Sequence, residues 1–331
     1  MATAQESPVH PRELDDVPGW FWPLDQVLFS WFLEWQEGRG VHGDLLELGT
    51  YLGKSAILLG HRLREGERLV VCDLFGEEPP DEANRAEARR SYASLTRRAF
   101  ERNYLSFHAS LPVVVQAPSS AITGEVAAGS CRFVHIDASH LYEHVRGDIG
   151  AARELLLPDG IVVLDDFRSE HTPGVALAAW EAVLSRGLRP VCLSGQKLYG
   201  TWGDPGPARE ALLAMLAARD DCAVSEEPAA GHRLIRVRAK GKRLRMPPLP
   251  TSRHRDPAPA PEPAPAAPAA TAPAPTAAAG TAPSGVPGAA VSGAAHAARR
   301  SGRTRLKRLA VDLLPPVATR AIRRRRARRT R

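Results

Sequence analysis

Several short apolar runs of this 331-residue chain end in an acid. Glu47 lies in DLLEL and Asp73 closes RLVVCD. Asp137 closes CRFVHID, with His140 three residues on, and the pair Asp165-Asp166 closes DGIVVLDD. If the last two runs are neighbouring parallel strands, three carboxylates meet at one sheet edge. Without a cation they would repel one another and take up protons. A hard divalent ion resolves this, because oxygen ligands and water suit magnesium, with manganese also compatible. The expected ligands are Asp137, Asp165 and Asp166. Such an ion would bind adjacent oxygens of an acceptor and lower the pKa of a hydroxyl, with His140 as the base. Blander readings stand beside these: Asp165-Asp166 as a capping or loop pair, and His140 as a hydrogen-bonding loop residue.

The turn after the first run is glycine-rich: DLLELGTYLGKSAILLG, from Asp44 to Gly60. Gly49 and Gly53 permit close backbone approach, and a helix opening near Lys54 presents free N–H groups. In doubly wound folds a ligand sits at the carboxyl ends of strands. Glu47 disfavours a phosphate there and suits a cationic ligand, which argues for the ammonium and sulfonium of S-adenosylmethionine. Asp73, at the next strand end, is placed to accept ribose hydroxyls. Ser119-Ser120, after the run ending near Gln116, would lie near an adenine ring or be turn chemistry alone.

The elements that position these residues alternate. Apolar runs at 44–48, 68–72, 112–116, 132–136, 160–164 and 188–193 read as strands. The intervening stretches 54–64, 87–103, 142–157 and 174–186 read as helices. This βαβ pattern predicts a largely parallel sheet with helices on both faces. A run at 197–202 closes it antiparallel, 207–219 is helical, and 232–239 alternates like an edge strand. Upstream, Leu24, Val27, Leu28, Trp31 and Trp35 recur at helical spacing over 23–37. That segment is either a helix packed on the core or a lid over a ligand.

The motif ELGTYLGKS (Glu47–Ser55) resembles the cofactor motif of catechol O-methyltransferases and related class I methyltransferases. HIDASHLYEHVRGDI and PDGIVVLDDF resemble segments of the bacterial family that includes macrocin-type sugar O-methyltransferases and cephalosporin-hydroxylase-like proteins. The resemblance covers roughly residues 43–204. It implies a Rossmann-like class I methyltransferase fold with a mostly parallel seven-stranded sheet. Glu47 would contact the methionine part of the cofactor, and Tyr51 and the Gly49–Gly53 backbone would wrap it, with Ser55 closing the motif. Asp73 would bind the ribose, and Asp137, Asp165 and Asp166 a metal. His140 stands at the offset where catechol-type enzymes carry a lysine base. The implied activity is metal-assisted O-methylation of a small hydroxylated molecule, such as a natural product or sugar-bearing precursor. A hydroxylase-like enzyme on the same fold and a non-catalytic cofactor-binding protein are the alternatives.

Charge is segregated. Residues 299–331 hold fourteen of the 44 basic residues and one of the 37 acidic ones. The rest of the chain is therefore mildly acidic, and its net charge gives no support to nucleic-acid binding. Residues 246–298 are Pro/Ala-rich and read as a disordered linker. The sequence thus divides into an N-terminal helical cap (1–42), the methyltransferase domain (43–245), the linker, and a basic tail (299–331). The tail carries an apolar stripe (Leu306, Leu309, Ala310, Leu313 and Leu314) and reads as a segment for an anionic membrane surface, with nucleic acid or plain solvation as alternatives. Arg89, Arg90, Arg97, Arg98 and Arg102 form either an acidic-acceptor site or a solvated helix face. His171 could face the acceptor or be incidental. Cys72, Cys131, Cys192 and Cys222 form no CxxC pair and read as buried hydrophobes of a reducing compartment. No signal peptide or membrane-spanning run is present. The expected location is cytoplasmic, compatible with a peripheral position at the inner membrane face and with a homodimer.

Overall fold

The computed structural model describes residues 10–79, 82, 84–85, 95–241 and 243–255. Residues 256–298 of the linker, the basic tail, and Arg89 and Arg90 lie outside the described residues. The first ten residues of the expected linker, 246–255, are instead packed on the domain: Ser252 is buried and donates to the Pro11 carbonyl at 2.6 Å, and the Arg253 N–H donates to the Ser106 carbonyl at 2.8 Å.

The central strands are β1 (Asp44–Leu48), β2 (Leu69–Cys72), β4 (Cys131–Ile136) and β5 (Leu156–Leu164). They read as unbroken apolar runs because both sheet faces are covered. Alternation along each strand feeds two separate cores. Leu45, Phe133 and Val163 meet Phe29, Phe32 and Leu33 of α1 (Pro23–Gly38) and Ile57 and Leu58 of α2 (Lys54–His61). Leu46, Val134 and Val162 meet Ile149 and Ala152 of α4 (Tyr142–Leu155), and Ala178 and Ala182 of α5 (Pro173–Ser185).

The remaining elements are α3 (Arg97–Leu105), α6 (Gly206–Ala217), β3 (Val113–Val115), β6 (Arg189–Leu193), β7 (Leu198–Thr201), β8 (Cys222–Ala229) and β9 (His232–Ala239). Strand order is β3-β2-β1-β4-β5-β7-β6-β9-β8. The five strands from β3 to β5 are mutually parallel, and β7 runs antiparallel between β5 and β6. The order reverses between β1 and β4, so their carboxyl ends flank the crevice where doubly wound folds bind ligands.

Two expectations are corrected here. Among the described residues the sheet has nine strands rather than seven, because a β8–β9 hairpin extends the seven-strand core. Residues 232–239 are accordingly not an edge strand, since β8 covers them. The hairpin turns at Ala230-Gly231, both left-handed (φ 48° and 77°), the geometry that matches strand twist in tight hairpins. β8 hides in the sequence because Glu226, Glu227 and Pro228 are poor strand formers. An edge position tolerates a proline, which has no N–H to donate. Helix α3 starts at Arg97, where the Thr96 hydroxyl accepts the Ala99 N–H at 3.2 Å. Residues 87–94 of the expected 87–103 helix lie outside the described residues. All four cysteines are buried and free. No helix among the described residues is long and apolar enough to cross a membrane.

At the amino end of the sheet, Arg132 is 1% exposed yet fully engaged. Its Nε and Nη2 donate to the two Glu67 oxygens at 2.8 Å each, Nη2 also to the Arg62 carbonyl, and Nη1 to Gln36 of α1. Burial alone would raise the Glu67 carboxyl, but hydrogen bonds from Arg132 and Arg64 override it and hold the carboxyl at about 2. This cluster pins α1 and β4 together far from the crevice. Glu67→Ala leaves the Arg132 guanidinium buried without its counter-ion, and urea unfolding should show a loss of about 3–5 kcal/mol. A loss under about 1 kcal/mol would show that the cluster does not hold the fold.

Candidate active site

The β1–α2 turn is built on left-handed backbone. Gly49, Tyr51 and Gly53 have φ of 78°, 50° and 92°. A side chain at Gly49 would collide with the Asp137 carbonyl, its Cβ falling 2.0 Å away, so glycine alone lets this turn meet the end of β4. Tyr51 has no such freedom, and its conformation costs on the order of 1–3 kcal/mol. Asp73 is what holds it: Oδ2 accepts the N–H groups of Thr50 and Tyr51 at 2.7 and 2.9 Å, and Oδ1 accepts that of Phe75 at 2.7 Å. Burial pushes the Asp73 carboxyl up, and these three donors oppose the rise. Oδ2, with two donors, is filled, and Oδ1 keeps lone-pair capacity for a further donor.

Above the turn lies a cavity of about 490 Å³. Gly49, Tyr51, Ser55, Asp73, Ser119 and Asp137 line it. Its outer wall is the strap Pro18–Phe21, where the Trp20 ring lies 5.4 Å from that of Tyr51. The aromatic N-terminal segment therefore does two jobs. Helix α1 packs on the core, and the residues before it roof the cavity.

Asp148 was not anticipated. It lines the cavity from α4 beside Ser119, and its Oδ2 is buried with no hydrogen-bond partner among the described residues. Burial raises its carboxyl to about 6. The available signal was an acid on the apolar stripe of α4, between Val145 and Ile149.

At the floor of the cavity a row of charged side chains crosses the sheet on the α1 face, and His135 and Lys197 of that row line the cavity. Glu47 and His135 are register partners on β1 and β4, and His135 Nδ1 lies 2.8 Å from Glu47 Oε1. The other His135 nitrogen, Nε2, is 3.0 Å from Lys197 Nζ. A lysine ammonium only donates, so Nε2 accepts and Nδ1–H donates to Glu47. Lys197 also ion-pairs with Asp165, and Asp165 shares a hydrogen bond with Asp137. Lys197 is 1% exposed, with the rings of Phe21 and Phe29 each 5.9 Å from its nitrogen.

Charge states follow from these contacts. Burial and the Lys197 charge keep His135 well below its usual range, hence neutral. Asp137 is pushed well up by burial and by the Asp165 charge. Asp165 is driven upward by burial but ends lowered, because Lys197 overrides it. Lys197 is raised, since the Asp165 and Asp137 charges outweigh its burial. Of the pair, Asp137 therefore holds a proton more tightly than Asp165.

Three site expectations need correction. Glu47 does not line the cavity; it is fully buried below the floor, held by His135 and the Thr50 hydroxyl. Asp166 does not join the other two acids. Its backbone is left-handed (φ 52°), Ser169 Oγ donates to its Oδ1 at 2.6 Å, and His140 Nε2 lies 3.4 Å from its Oδ2. His140 is thus engaged with Asp166 and is not among the cavity-lining residues. The metal set Asp137, Asp165 and Asp166 accordingly does not fit. His135, Asp137 and Asp165 do converge, with donor atoms within 4.8 Å of one another. Yet Lys197 already contacts two of those three donor groups, so the arrangement as built suits an internal ammonium.

Burial raises the Glu47 carboxyl from 4.5 to about 7. Between those values the folded chain keeps a proton that the unfolded chain releases, so this contribution to stability is complete below pH 4.5 and is lost as pH rises to 7. In urea titrations across that window, Glu47→Gln should remove a fall on the order of 3 kcal/mol. An unchanged slope would mean that Glu47 is ionised throughout.

A family model described as a methyltransferase domain matches residues 46–167. No curated protein sequence matches the chain. Among solved structures, the chain is similar to the O-methyltransferase NovP, at 18% identity and a TM-score of 0.44, over 54% of this chain and 81% of that one. It is similar to CalS11, a TDP-rhamnose 3'-O-methyltransferase of calicheamicin biosynthesis, at 17% and 0.37, over 55% and 80%. It is also similar to TomG of Streptomyces achromogenes, an O-methyltransferase of tomaymycin synthesis, at 18% and 0.27, over 62% and 75%. The acid-ended strands, the latched glycine turn and the matched family model lead to one conclusion: residues 46–167 carry a methyltransferase domain, set on a Rossmann-like α/β sheet.

Proposed function

We propose that this enzyme uses S-adenosylmethionine to methylate a hydroxyl of a small acceptor, with Asp137 taking the hydroxyl proton. The observation that carries the reading is the cavity at the switch point, which joins a latched glycine turn to a set of inward-facing acids. Bound there, the cofactor supplies a methyl carbon on a sulfonium, open to displacement by an oxygen.

The chain's own residues divide the work. The Gly49–Gly53 backbone leaves room for the amino-acid part, and Trp20 and Tyr51 close over it. Asp73 Oδ1 has a spare lone pair for a ribose hydroxyl. Ser119 and the unpartnered Asp148 oxygen suit the edge of an adenine ring, with Asp148 accepting from its amino group. Asp137 is the only member of the acid pair that lines the cavity. Ionised, it can accept the acceptor's proton as the new C–O bond forms, and a cationic ligand nearby favours that ionised form. Lys197 keeps Asp165 charged, so the proton accepted by Asp137 is held between the two carboxylates. Excluding water behind the Trp20 strap strengthens each of these interactions.

The sequence resemblance to macrocin-type enzymes makes sugar-bearing hydroxyls the first acceptors to screen. The basic tail is proposed to hold the enzyme at an anionic membrane surface, on its composition alone.

Calorimetric titration of S-adenosylmethionine into the full chain should give saturable micromolar binding. Asp73→Ala should weaken it at least tenfold. Asp137→Asn should leave affinity within about threefold and lower turnover by roughly 10²–10⁴. The product should gain one CH2, whereas a hydroxylase would add one oxygen. Absence of binding by the folded chain would overturn the proposal, and equal loss of affinity in both variants would overturn the division of roles.

A further inference from the structure

The strand register places a cation where the sequence led us to expect a metal. On β5 and β7, Val163 faces Tyr199 and Leu164 faces Leu198 in an antiparallel ladder. One step further, Asp165 faces Lys197. Directly opposed residues of an antiparallel pair point to the same face, and the two side chains meet in an ion pair. The lysine is fixed from its own side as well. Ser194 Oγ accepts the N–H groups of Gln196 and Lys197 at 3.2 and 2.9 Å, and the Ser194 N–H donates to the Lys197 carbonyl at 2.9 Å. The ammonium is therefore delivered by a tight β6–β7 connection into a pocket walled by Phe21 and Phe29.

We propose that Lys197 is the resident cation of this active site, replacing a divalent metal as the positioning charge for the Asp137–Asp165 pair. Three observations support it. The His135 nitrogen that a metal would need, Nε2, already accepts from Lys197. Asp165 Oδ2 already pairs with the same ammonium, and its Oδ1 accepts the Asp166 N–H. The third acid of the expected metal set, Asp166, is turned toward Ser169 and His140. A divalent ion entering between His135, Asp137 and Asp165 would meet a fixed positive charge within contact distance. Lys197 borders the cavity floor, and its contacts with the cluster are with His135 and Asp165. It keeps Asp165 ionised, which leaves Asp137 as the group that exchanges a proton with the cavity.

The proposal deepens the methyl-transfer reading, but its first test does not depend on that reading. Mn2+ is titrated into EDTA-dialysed full-length protein and followed by electron paramagnetic resonance, with no cofactor present. The expected result is no stoichiometric binding at Mn2+ concentrations up to about tenfold over protein. Saturable one-to-one binding that disappears in Asp165→Asn would overturn the proposal, whether or not S-adenosylmethionine binds. Failure of the methyl-transfer reading would show up separately, as a cofactor titration without heat. Where an acceptor is in hand, turnover should change less than twofold on adding EDTA, and EDTA inhibition reversed by Mg2+ would also overturn the proposal. The positioning role is read from pH. In Lys197→Met the acid limb of the pH–rate profile should move to higher pH by at least one unit, and Lys197→Arg should bring it back part of the way. A profile unmoved in a folded Lys197→Met protein would contradict the role.

Discussion

Much of this site depends on one buried ion pair, Lys197 with Asp165. Parallel strands deliver their last residues to a common edge, and in this chain several of those residues are acids. Gathering carboxylates in an apolar crevice is unfavourable unless something offsets their charge. The ammonium of Lys197 does so from inside the sheet. Because it sits nearer Asp165 than Asp137, it separates two chemically identical groups into one that stays charged and one that holds a proton. Two carboxyls with opposed proton affinities are the usual mark of divided acid–base roles.

The fold explains why that lysine is there. An all-parallel sheet would present only carboxyl ends at the crevice. The antiparallel strand β7 brings the beginning of a strand to the same edge, and with it a side chain from the β6–β7 connection. Glu47, His135, Asp165 and Lys197 then form a row across four adjacent strands, all facing α1. Asp25 of α1 closes the row from above, accepting from the Tyr199 hydroxyl at 2.7 Å. The glycine turn works in the opposite direction. It holds three left-handed residues by means of Asp73, so that backbone rather than charge shapes the cavity wall.

Much of this was legible in the sequence, for identifiable reasons. Buried parallel strands are unbroken apolar runs, so β1, β2, β4 and β5 stood out, and the acids at their ends came with them. Gly49 and Gly53 marked the turn. What stayed hidden was set by tertiary register. Nothing local distinguishes Lys197 from a solvent-facing lysine; only its pairing opposite Asp165 does. Glu47 lies one residue before the strand's end, on the face that alternation turns toward α1, which places it under the floor and not in the cavity. The Asp165-Asp166 dipeptide carried its own warning, because successive side chains leave a strand on opposite faces. Asp148 was masked by the polar composition of α4, and β8 by its acids and proline.

The central claim is that the cavity between the glycine turn, the Trp20 strap and Asp137 is the methyl-donor site. The most direct measurement is a crystal structure of the full chain soaked with S-adenosylhomocysteine, the donor's demethylated product. The account predicts density in this cavity, with the adenine beside Ser119 and Asp148, the ribose at Asp73 and the sulfur toward Asp137. Density at another site, or an empty cavity at millimolar ligand in a crystal whose cavity is open to solvent, would contradict it.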